Sequence, residues 1–247
     1  MNLTESIRSQ FGGYRLRIGQ SADDTRAAQA LRFLVFNLEL HEGLQQSYTT
    51  GLDADPFDAI CDHLLVEEIK TGTTVGTYRL QPGSRAAAKL GYYSEQEFDF
   101  SPYEPLRSQL VELGRACVHK DHRNLAALHL LWKGIARYAV AHESRYLIGC
   151  SSLTSQDPAA GLSAYLELDS YLAEPEWRTQ PLPAYRFTSE TPSDPPPKIP
   201  KLLFAYLNLG ARICGPPAMD REFGTIDFLT LLDLQSLAPK MLARFLG

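Results

Sequence analysis

The segment 112–137 concentrates the side chains best suited to chemistry. It starts as an apolar, strand-like run that carries Glu112 and Arg115, continues as Lys-Asp-His-Arg at 120–123, and then becomes helical in pattern. The first turn of a helix has backbone N–H groups without partners inside the helix, and the helix dipole adds partial positive charge there. The strand-to-helix turn therefore predicts an anion-binding site.

The helix that follows has two predicted faces. Small and apolar residues recur at helical spacing and predict a buried face: Ala127, Leu131, Gly134 and Tyr138. On the opposite face His129, Lys133 and Arg137 form a basic stripe, which Lys120 extends to the helix start. The stripe indicates a surface for an acidic partner, and an ordinary solvated helix face is the alternative.

A second chemical group, formed by Asp58, Asp62 and His63, stands where a polar loop enters a strand. Loops held by a rigid scaffold often display reactive groups. The histidines, cysteines and acids have no metal-ligand spacing, so we expect no metal site. Ser151 and Ser152 lack the GxSxG setting of a serine hydrolase.

Periodicity places these residues on alternating strands and helices. Strands are predicted near 14–18, 63–69, 74–81, 110–119, 146–153 and 225–233, and helices near 22–41, 123–142, 157–172, 199–211 and 237–246. Eight of the 16 prolines lie within 174–200, which predicts a long extended loop. The order of elements predicts one α/β or α+β domain with a mixed sheet.

Composition excludes several classes of protein. The 247 residues are 44% hydrophobic and 21% charged, which is typical of a globular protein and not of a disordered, collagen-like or coiled-coil chain. A net charge of −5 argues against nucleic acid as a partner. Four widely spaced cysteines predict buried thiols in a reducing compartment. No signal-like or membrane-spanning run is present, so we expect a cytoplasmic protein, soluble or peripheral on the inner membrane.

A set of short motifs runs in order through residues 14 to 235. They are Arg32–Phe36, Asp58, Cys61–Val66, Val75–Leu80, Glu112–Arg115, Val118-His119, Arg123, Leu131-Trp132, Gly149–Leu153, Tyr206–Arg212, Cys214-Gly215 and Asp220–Phe228. Together they resemble the GNAT-fold N-acyltransferases that make ornithine lipids. A weaker similarity, at Arg32, 55–58, Arg79 and Glu112 to Arg115, links the chain to acyl-homoserine-lactone synthases.

The resemblance implies an α/β (α+β), GNAT-like acyltransferase fold with a mixed central sheet flanked by helices. It implies a single domain over 1–247, with a Pro-rich loop at 174–200 and a C-terminal helix-strand-helix extension. The implied activity moves a (3-hydroxy)fatty acyl chain from acyl carrier protein to the α-amine of ornithine, giving lyso-ornithine lipid. Another amino-acid acceptor, an acyl-homoserine-lactone-type synthase and a non-catalytic carrier-protein or lipid-binding module remain alternatives.

The resemblance also suggests roles for single residues. Acyl transfer to an amine needs a base for the amine proton, and Glu112 is the predicted base, with His63 and Asp62 as alternatives. The other predicted substrate-binding residues are Arg32, Asp58, Arg79 and Arg115. In this prediction Asp58 and Asp62 bind the ammonium groups of a cationic acceptor, and Arg32 or Arg79 pairs with its carboxylate.

The turn before the long helix departs from acetyl-CoA-using relatives, which carry glycines there. Residues 123–128 contain none, and glycines are what lets a backbone approach a pyrophosphate closely. The turn therefore suggests a simpler phosphate, that of a phosphopantetheine arm, bound by Val118, Arg123, Asn124, Leu125 and Ala126. The acidic carrier protein would dock on Lys120, Lys133 and Arg137. We expect no permanently bound cofactor, with the acyl carrier protein thioester as co-substrate and acyl-CoA as another possible donor.

Two apolar clusters are candidates for an acyl groove, with ordinary core as the alternative. One is the aromatic segment 92–103 and the other is 202–207. The C-terminal segment has apolar and basic residues that suit a membrane surface: Leu237, Lys240, Met241, Arg244 and Phe245.

Overall fold

A computed structural model describes residues 3–238, 243, 245 and 246. Of the segment expected to rest on a membrane, Lys240, Met241 and Arg244 lie outside the described residues. Leu237 and Phe245 are buried, and the Phe245 ring stacks on Trp132 with 5.8 Å between ring centroids. These two apolar side chains therefore belong to the core and not to a membrane-facing surface.

Nine strands and seven helices are described. The strands are β1 (Ser9–Phe11), β2 (Tyr14–Ile18), β3 (Asp62–Glu68), β4 (Thr74–Pro82), β5 (Leu110–Val118), β6 (Tyr146–Leu153), β7 (Arg212–Ile213), β8 (Ala218–Asp220) and β9 (Thr225–Asp233). The helices are α1 (Leu3–Ile7), α2 (Ala22–Phe33), α3 (Ser47–Thr50), α4 (Gly83–Ala88), α5 (Leu125–Ala141), α6 (Pro158–Glu167) and α7 (Lys201–Asn208).

The strands form one mixed sheet in the order β1-β2-β3-β4-β5-β6-β9-β7, with β8 also paired to β9. Neighbours from β1 to β5 are antiparallel, while β6 joins β5 in parallel after the crossover through α5. β9 returns antiparallel along the whole of β6. A parallel pair needs such a crossover, and α5 supplies it.

Helices cover both faces of the sheet. The predicted inner face of α5 is buried, and it packs with Leu16, Leu64 and Leu80 in the largest core cluster. Alternate residues of a strand point to opposite faces, so Arg79 lies on the face opposite Leu80. Arg32 of α2 lies beside Arg79 through their shared partner Asp58, which places α2 on that second face.

The predicted strands and the long helix are confirmed closely. β6 and β9 have the predicted bounds, and the Pro-rich loop contains only single 3-10 turns, at Pro175–Trp177 and Pro183–Tyr185. The helix predicted over 22–41 is wrong in its second half, because Leu34–Glu39 is π-helical and the N–H of Leu40 bonds the carbonyl of Val35. The short elements α1, β1, α4, β7 and β8 were not predicted from the sequence.

Other predictions for buried residues are also resolved by the structure. All four cysteines are free, as predicted for unpaired thiols. Most of the aromatic segment 92–103 is core, with Tyr92, Phe98 and Tyr103 almost fully buried, whereas Tyr93 lines a cavity. Of the described helices, none combines the length and the hydrophobicity needed to cross a membrane.

Candidate active site

The two central strands of the sheet part from each other. β5 and β6 pair only from Leu110↔Tyr146 to Glu112↔Ile148, so from Leu113 onward the edge of β5 facing β6 has no strand beside it. Gly149 stands where they separate, and a Cβ built there would lie 2.2 Å from the carbonyl oxygen of Leu113. A residue with a side chain cannot take this position without a shift, so the glycine permits the close approach that precedes the gap.

A bulge distorts β5 beside the gap. Against β4, Arg79 pairs with Gly114 and Thr77 with Cys117, so Tyr78 alone opposes both Arg115 and Ala116. Arg115 has φ 50°, the left-handed conformation that one residue of a bulge often takes. The bulge lies on the β4 side of β5, while on the β6 side the main chain from Leu113 onward has no described strand beside it, so unpaired main chain faces the gap.

A cavity of about 790 Å³ opens at the gap, and we call it the central cavity. Polar side chains from five strands and the segments between elements reach it: Glu42, Arg79, Ser94, Glu112, Arg115, Cys150, Thr154, Asp220 and Asp227. Apolar side chains from three helical segments line the rest: Val35, Phe36, Leu40, Leu125, Leu128, Leu131, Leu202 and Leu203. The cavity thus joins a polar pocket to an apolar channel, which suits an acyl chain attached to a polar reacting group.

Glu112 lies in the polar part of the central cavity and is held by three donors. Its Oε1 accepts from the N–H of Ser94 at 2.8 Å and from the Ser94 hydroxyl at 2.7 Å, and its Oε2 accepts from the N–H of Tyr93 at 2.8 Å. Burial raises the pKa of Glu112, although the bonds from Ser94 and Tyr93 oppose that shift. The carboxylate is therefore fixed in position and is a better proton acceptor than an exposed glutamate.

Six buried charges form a network on the α2 face of the sheet. The guanidinium of Arg32 binds both oxygens of Asp58, at 3.0 and 2.7 Å, and its Nε lies 2.8 Å from Asp53. The other members are Asp55, Arg79 and Arg115. Burial opposes ionisation of Asp58, but Arg32 and Arg79 outweigh it and hold the pKa of that carboxyl below its usual range.

This network corrects two predicted substrate contacts. Asp58 was predicted to bind an acceptor ammonium and Arg32 an acceptor carboxylate, yet each neutralises the other and neither lines the central cavity. Buried charges are stable when they are paired, so both are explained by the fold. What they do is anchor the loop before β3 against α2.

Arg79 and Arg115 differ from Arg32, because both line the central cavity. Nη1 of Arg79 donates to Asp55 at 2.6 Å and to Asp58 at 3.2 Å, but its Nη2 is buried and has no hydrogen-bond partner among the described residues. Both guanidiniums lie over the ring of Tyr93, at 5.4 and 4.6 Å from its centroid. Arg79 therefore keeps one buried donor for a ligand in the cavity.

The two alternative bases lie away from the central cavity. Nε2 of His63 bonds the carbonyl of Asp58 at 3.2 Å, and burial lowers the pKa of its imidazole, so the ring is neutral at pH 7. Asp62 accepts from the Tyr138 hydroxyl at 2.5 Å and pairs with Arg85 at 3.0 Å. Neither residue lines the cavity that holds Glu112, so the structure separates them from it.

The start of α5 reaches the central cavity, but several of its polar groups are already used. Asn124 caps the helix, and its Oδ1 accepts from the N–H of Ala126 at 3.0 Å and of Ala127 at 3.1 Å. Arg123 pairs with Glu39 through two bonds of 2.6 and 2.7 Å. Val118 and Leu125 line the cavity, and Leu125 is 80% exposed at its mouth. The predicted phosphate site is therefore a capped helix start with fewer donors than the sequence suggests.

The predicted docking stripe is interrupted by the N-terminal segment. Nη1 of Arg137 donates to the carbonyls of Ser6 at 3.3 Å and Arg8 at 3.2 Å, so this guanidinium ties α5 to the end of α1. Lys133 is half-buried beside it. Lys120 is exposed next to the mouth of the cavity, and Lys201 at the start of α7 lines the same mouth.

Sequence reasoning missed the acids Glu42, Glu97 and Asp227. Glu42 follows the π-helical segment and accepts from the Thr154 hydroxyl at 2.6 Å, and burial raises its pKa to about 7. Glu97 and Asp227 are buried together near Cys150. No short motif contains Glu42 or Glu97, and the motif Asp220–Phe228 contains Asp227 without indicating a role for it. Strands and turns distant in sequence bring the three acids together.

The comparisons with known proteins agree with this architecture. Residues 31–133 match the model of an acetyltransferase (GNAT) domain. An L-ornithine N(alpha)-acyltransferase of Rhodobacter capsulatus is 34% identical over 92% of this chain and 92% of its own, and one of Brucella abortus is 33% identical over 97% and 91%. The chain belongs to the L-ornithine N(alpha)-acyltransferase family.

Solved structures show the same fold at low sequence identity. An N-acyl amino acid synthase from uncultured soil microbes is 12% identical, with a TM-score of 0.53 over 90% of this chain and 91% of its own. A CoA-dependent acyl-homoserine lactone synthase is 15% identical, with a TM-score of 0.52 over 91% and 81%. The GNAT fold expected from the motifs is confirmed, and the L-ornithine N(alpha)-acyltransferase family makes the protein an N-acyltransferase enzyme.

Proposed function

We propose that this N-acyltransferase moves a (3-hydroxy)fatty acyl chain from acyl carrier protein to the α-amine of ornithine, giving lyso-ornithine lipid. The observation that carries the proposal is the central cavity, where Glu112, the unpartnered Nη2 of Arg79 and the gap between β5 and β6 open onto one apolar channel. The family membership supports the acceptor, since its relatives are named for ornithine.

The cavity supplies each requirement of the reaction. The thioester carbonyl would lie in the gap, where backbone N–H groups of β5 can stabilise the oxyanion as the amine attacks. Glu112 would take the proton from the α-amine, directly or through a water molecule. As the intermediate collapses, the C–S bond breaks and the departing pantetheine sulfur takes up that proton. Arg79 would bind the acceptor carboxylate and so hold the amine near the thioester. No covalent intermediate on the protein is needed, because the amine itself is the nucleophile.

The mouth of the cavity supports acyl carrier protein as the proposed acyl donor. A pantetheine arm is a narrow chain that fits between the separated strands, and the capped start of α5 has few donors left for a pyrophosphate. The mouth has Lys120 and Lys201 beside the exposed Leu125, which suits the acidic and partly apolar surface of an acyl carrier protein. We therefore place docking at this mouth, with Lys133 and Arg137 at most at its edge. We also propose that the mouth contacts a membrane surface, because the product of the proposed reaction, lyso-ornithine lipid, is an amphiphile.

The direct test is reconstitution. The purified protein is incubated with 3-hydroxyacyl carrier protein and ornithine, and mass spectrometry measures the acylated amino acid. We expect N-acyl-ornithine from wild type and a large rise in KM for ornithine in Arg79→Gln. With ornithine methyl ester, which lacks the carboxylate, the KM values of wild type and Arg79→Gln should differ less than they do with ornithine. Failure of wild type to acylate any amino acid would favour the carrier-protein or lipid-binding module instead.

A further inference from the structure

A pair of buried acids, Glu97 and Asp227, lies beyond β6 from the gap. Asp227 on β9 is paired in register with Ser152 on β6. Glu97 directly follows the 3-10 turn that contains Ser94. One carboxylate oxygen of each acid and Sγ of Cys150 all lie within 4.8 Å of one another. Asp227 and Cys150 line the central cavity, and Glu97 stands behind them.

These acids lie against each other and, in the described part of the chain, lack the cationic partners that buried carboxylates normally have. Glu97 is 1% exposed and Asp227 4%, yet Oε1 of Glu97 and Oδ1 of Asp227 make no hydrogen bond with any described residue. No ion pair joins either acid to a cation in the described part of the chain, whereas every aspartate of the Arg32 network has one. Burial raises the pKa of both acids, that of Asp227 to about 6, and Asp227 raises that of Glu97 further.

The pair is close to the predicted base. The Ser94 hydroxyl donates to Glu112 at 2.7 Å, the Cys150 thiol lies 3.5 Å from that hydroxyl, and the same thiol lies 3.9 Å from Oε2 of Glu97. Three short contacts therefore connect Glu112, where an α-amine would react, to Glu97, which has no cationic partner among the described residues. A short, flexible side chain with a cationic end spans such a separation.

We propose that Asp227, backed by Glu97, binds the side-chain ammonium of a dibasic amino-acid acceptor. The inference rests on the proposed function and assigns its acceptor specificity to a site. An ammonium group supplies both the positive charge and the N–H donors that the two unpartnered oxygens lack. An acceptor of the same length without that amine would leave the pair unsatisfied, and buried polar groups left unpaired are the strongest means of rejecting an analogue.

The test compares ornithine with norvaline, which has the same carbon skeleton without the side-chain amine. We measure kcat/KM for both acceptors with wild type, Asp227→Asn and Glu97→Gln. Wild type should prefer ornithine by a factor of about 100 or more. Both variants should lose most of that preference, because kcat/KM should fall for ornithine and change little for norvaline. Glu222→Gln, which removes an exposed carboxylate from the turn before β9, is the matched control and should keep the wild-type ratio.

Calorimetric titration of the three proteins with each amino acid, without acyl donor, measures the same preference as binding. If wild type acylates no amino acid but binds ornithine better than norvaline, the proposed function fails and the inference stands. If the folded variants keep the wild-type preference, the inference is overturned. It is overturned equally if a chelator abolishes the preference and Zn²⁺ or Mn²⁺ restores it, because the acids and Cys150 would then be metal ligands.

Discussion

At the scale of single residues, the site separates charges that stabilise the fold from charges left for a ligand. Arg32 and Asp58 satisfy each other, while Nη2 of Arg79 and Oδ1 of Asp227 are buried and make no hydrogen bond with any described residue. Sequence spacing could suggest the charged residues but not their partners. Three of the predicted site residues, Glu112, Arg79 and Arg115, line one cavity, and their roles stay predictions. Asp62 and His63 lie outside that cavity.

Glu112→Gln tests the predicted base. Glutamine retains one oxygen for the two Ser94 donors, and its NH2 then faces the Tyr93 N–H, so the fold should survive with a modest loss of stability. Glutamine cannot accept the amine proton. We expect kcat to fall by a factor of about 10² to 10⁴, measured by mass spectrometry of the acylated product. A kcat of Glu112→Gln near that of wild type would contradict this role and indicate Glu42 as the base. In that case Glu42→Gln should lose the activity instead.

Glu42 also makes a prediction about stability and pH. Burial raises its pKa from an ordinary 4.5 to about 7 in the folded protein, so ionisation of Glu42 lowers the free energy of unfolding. Stability from this group is present at low pH and is lost as pH rises from about 4.5 through 7. Glu42→Gln, which can still accept from Thr154, should therefore be more stable than wild type at pH 8 by about 1–3 kcal/mol and nearly equal at pH 5.

Chemical denaturation at the two pH values measures this difference. Glu222→Gln, on an exposed turn, should show the same stability relative to wild type at both pH values. An equal effect of Glu42→Gln at pH 5 and pH 8 would contradict ionisation as the cause.

At the scale of elements, periodicity predicted the central strands and α5 because each has a continuous buried face. It could not predict the bulge at Arg115 or the separation of β5 from β6, since both depend on contacts between strands. It also missed the π-helical segment after α2, which brings Val35, Phe36 and Glu42 to the central cavity. The site is thus built from the irregular parts of otherwise predictable elements.

Two glycines on these strands should respond differently to alanine. At Gly149 a Cβ would lie 2.2 Å from the Leu113 carbonyl oxygen, so Gly149→Ala should cost about 1–3 kcal/mol and disturb the gap. At Gly114 a Cβ meets nothing within 4 Å, so Gly114→Ala should fold with a Tm close to that of wild type. Differential scanning calorimetry of both variants checks the contrast, and an equal loss of Tm would contradict the geometry of the gap.

A larger side chain at Gly114 tests what the free space is for. Gly114 lines the central cavity, so Gly114→Val should raise KM for the acyl donor while the fold is retained. Unchanged donor kinetics in a folded Gly114→Val protein would place the thioester elsewhere.

At the scale of the whole molecule, a chain of net charge −5 has exposed lysines beside one cavity mouth. The sequence predicted a longer basic stripe along α5, because helical spacing alone does not show that α1 packs against part of it. Arg137 bonds the end of α1, so the surface open to a carrier protein is shorter and nearer the cavity. The assignment of 1–247 to a single domain stays a prediction.

Charge reversal tests the position of docking. Lys120→Glu should raise KM for acyl carrier protein several-fold, and more than KM for an acyl-pantetheine of the same chain. Lys133→Glu should have a smaller effect. Lys89→Glu changes an exposed lysine at the opposite end of β4 and is the control for net charge. Equal effects of all three on the carrier-protein KM would show general electrostatics and not a docking surface.

The gap between β5 and β6 should make the proposed oxyanion contact insensitive to most side-chain substitutions in β5. The donors that we assign to the oxyanion belong to the main chain, which every amino acid shares. An alanine scan through 113–118 would leave each of those N–H groups in place, and only a proline deletes one. The side chains around the gap can therefore diverge, and change which molecules enter the cavity, while the chemical step keeps the same donors.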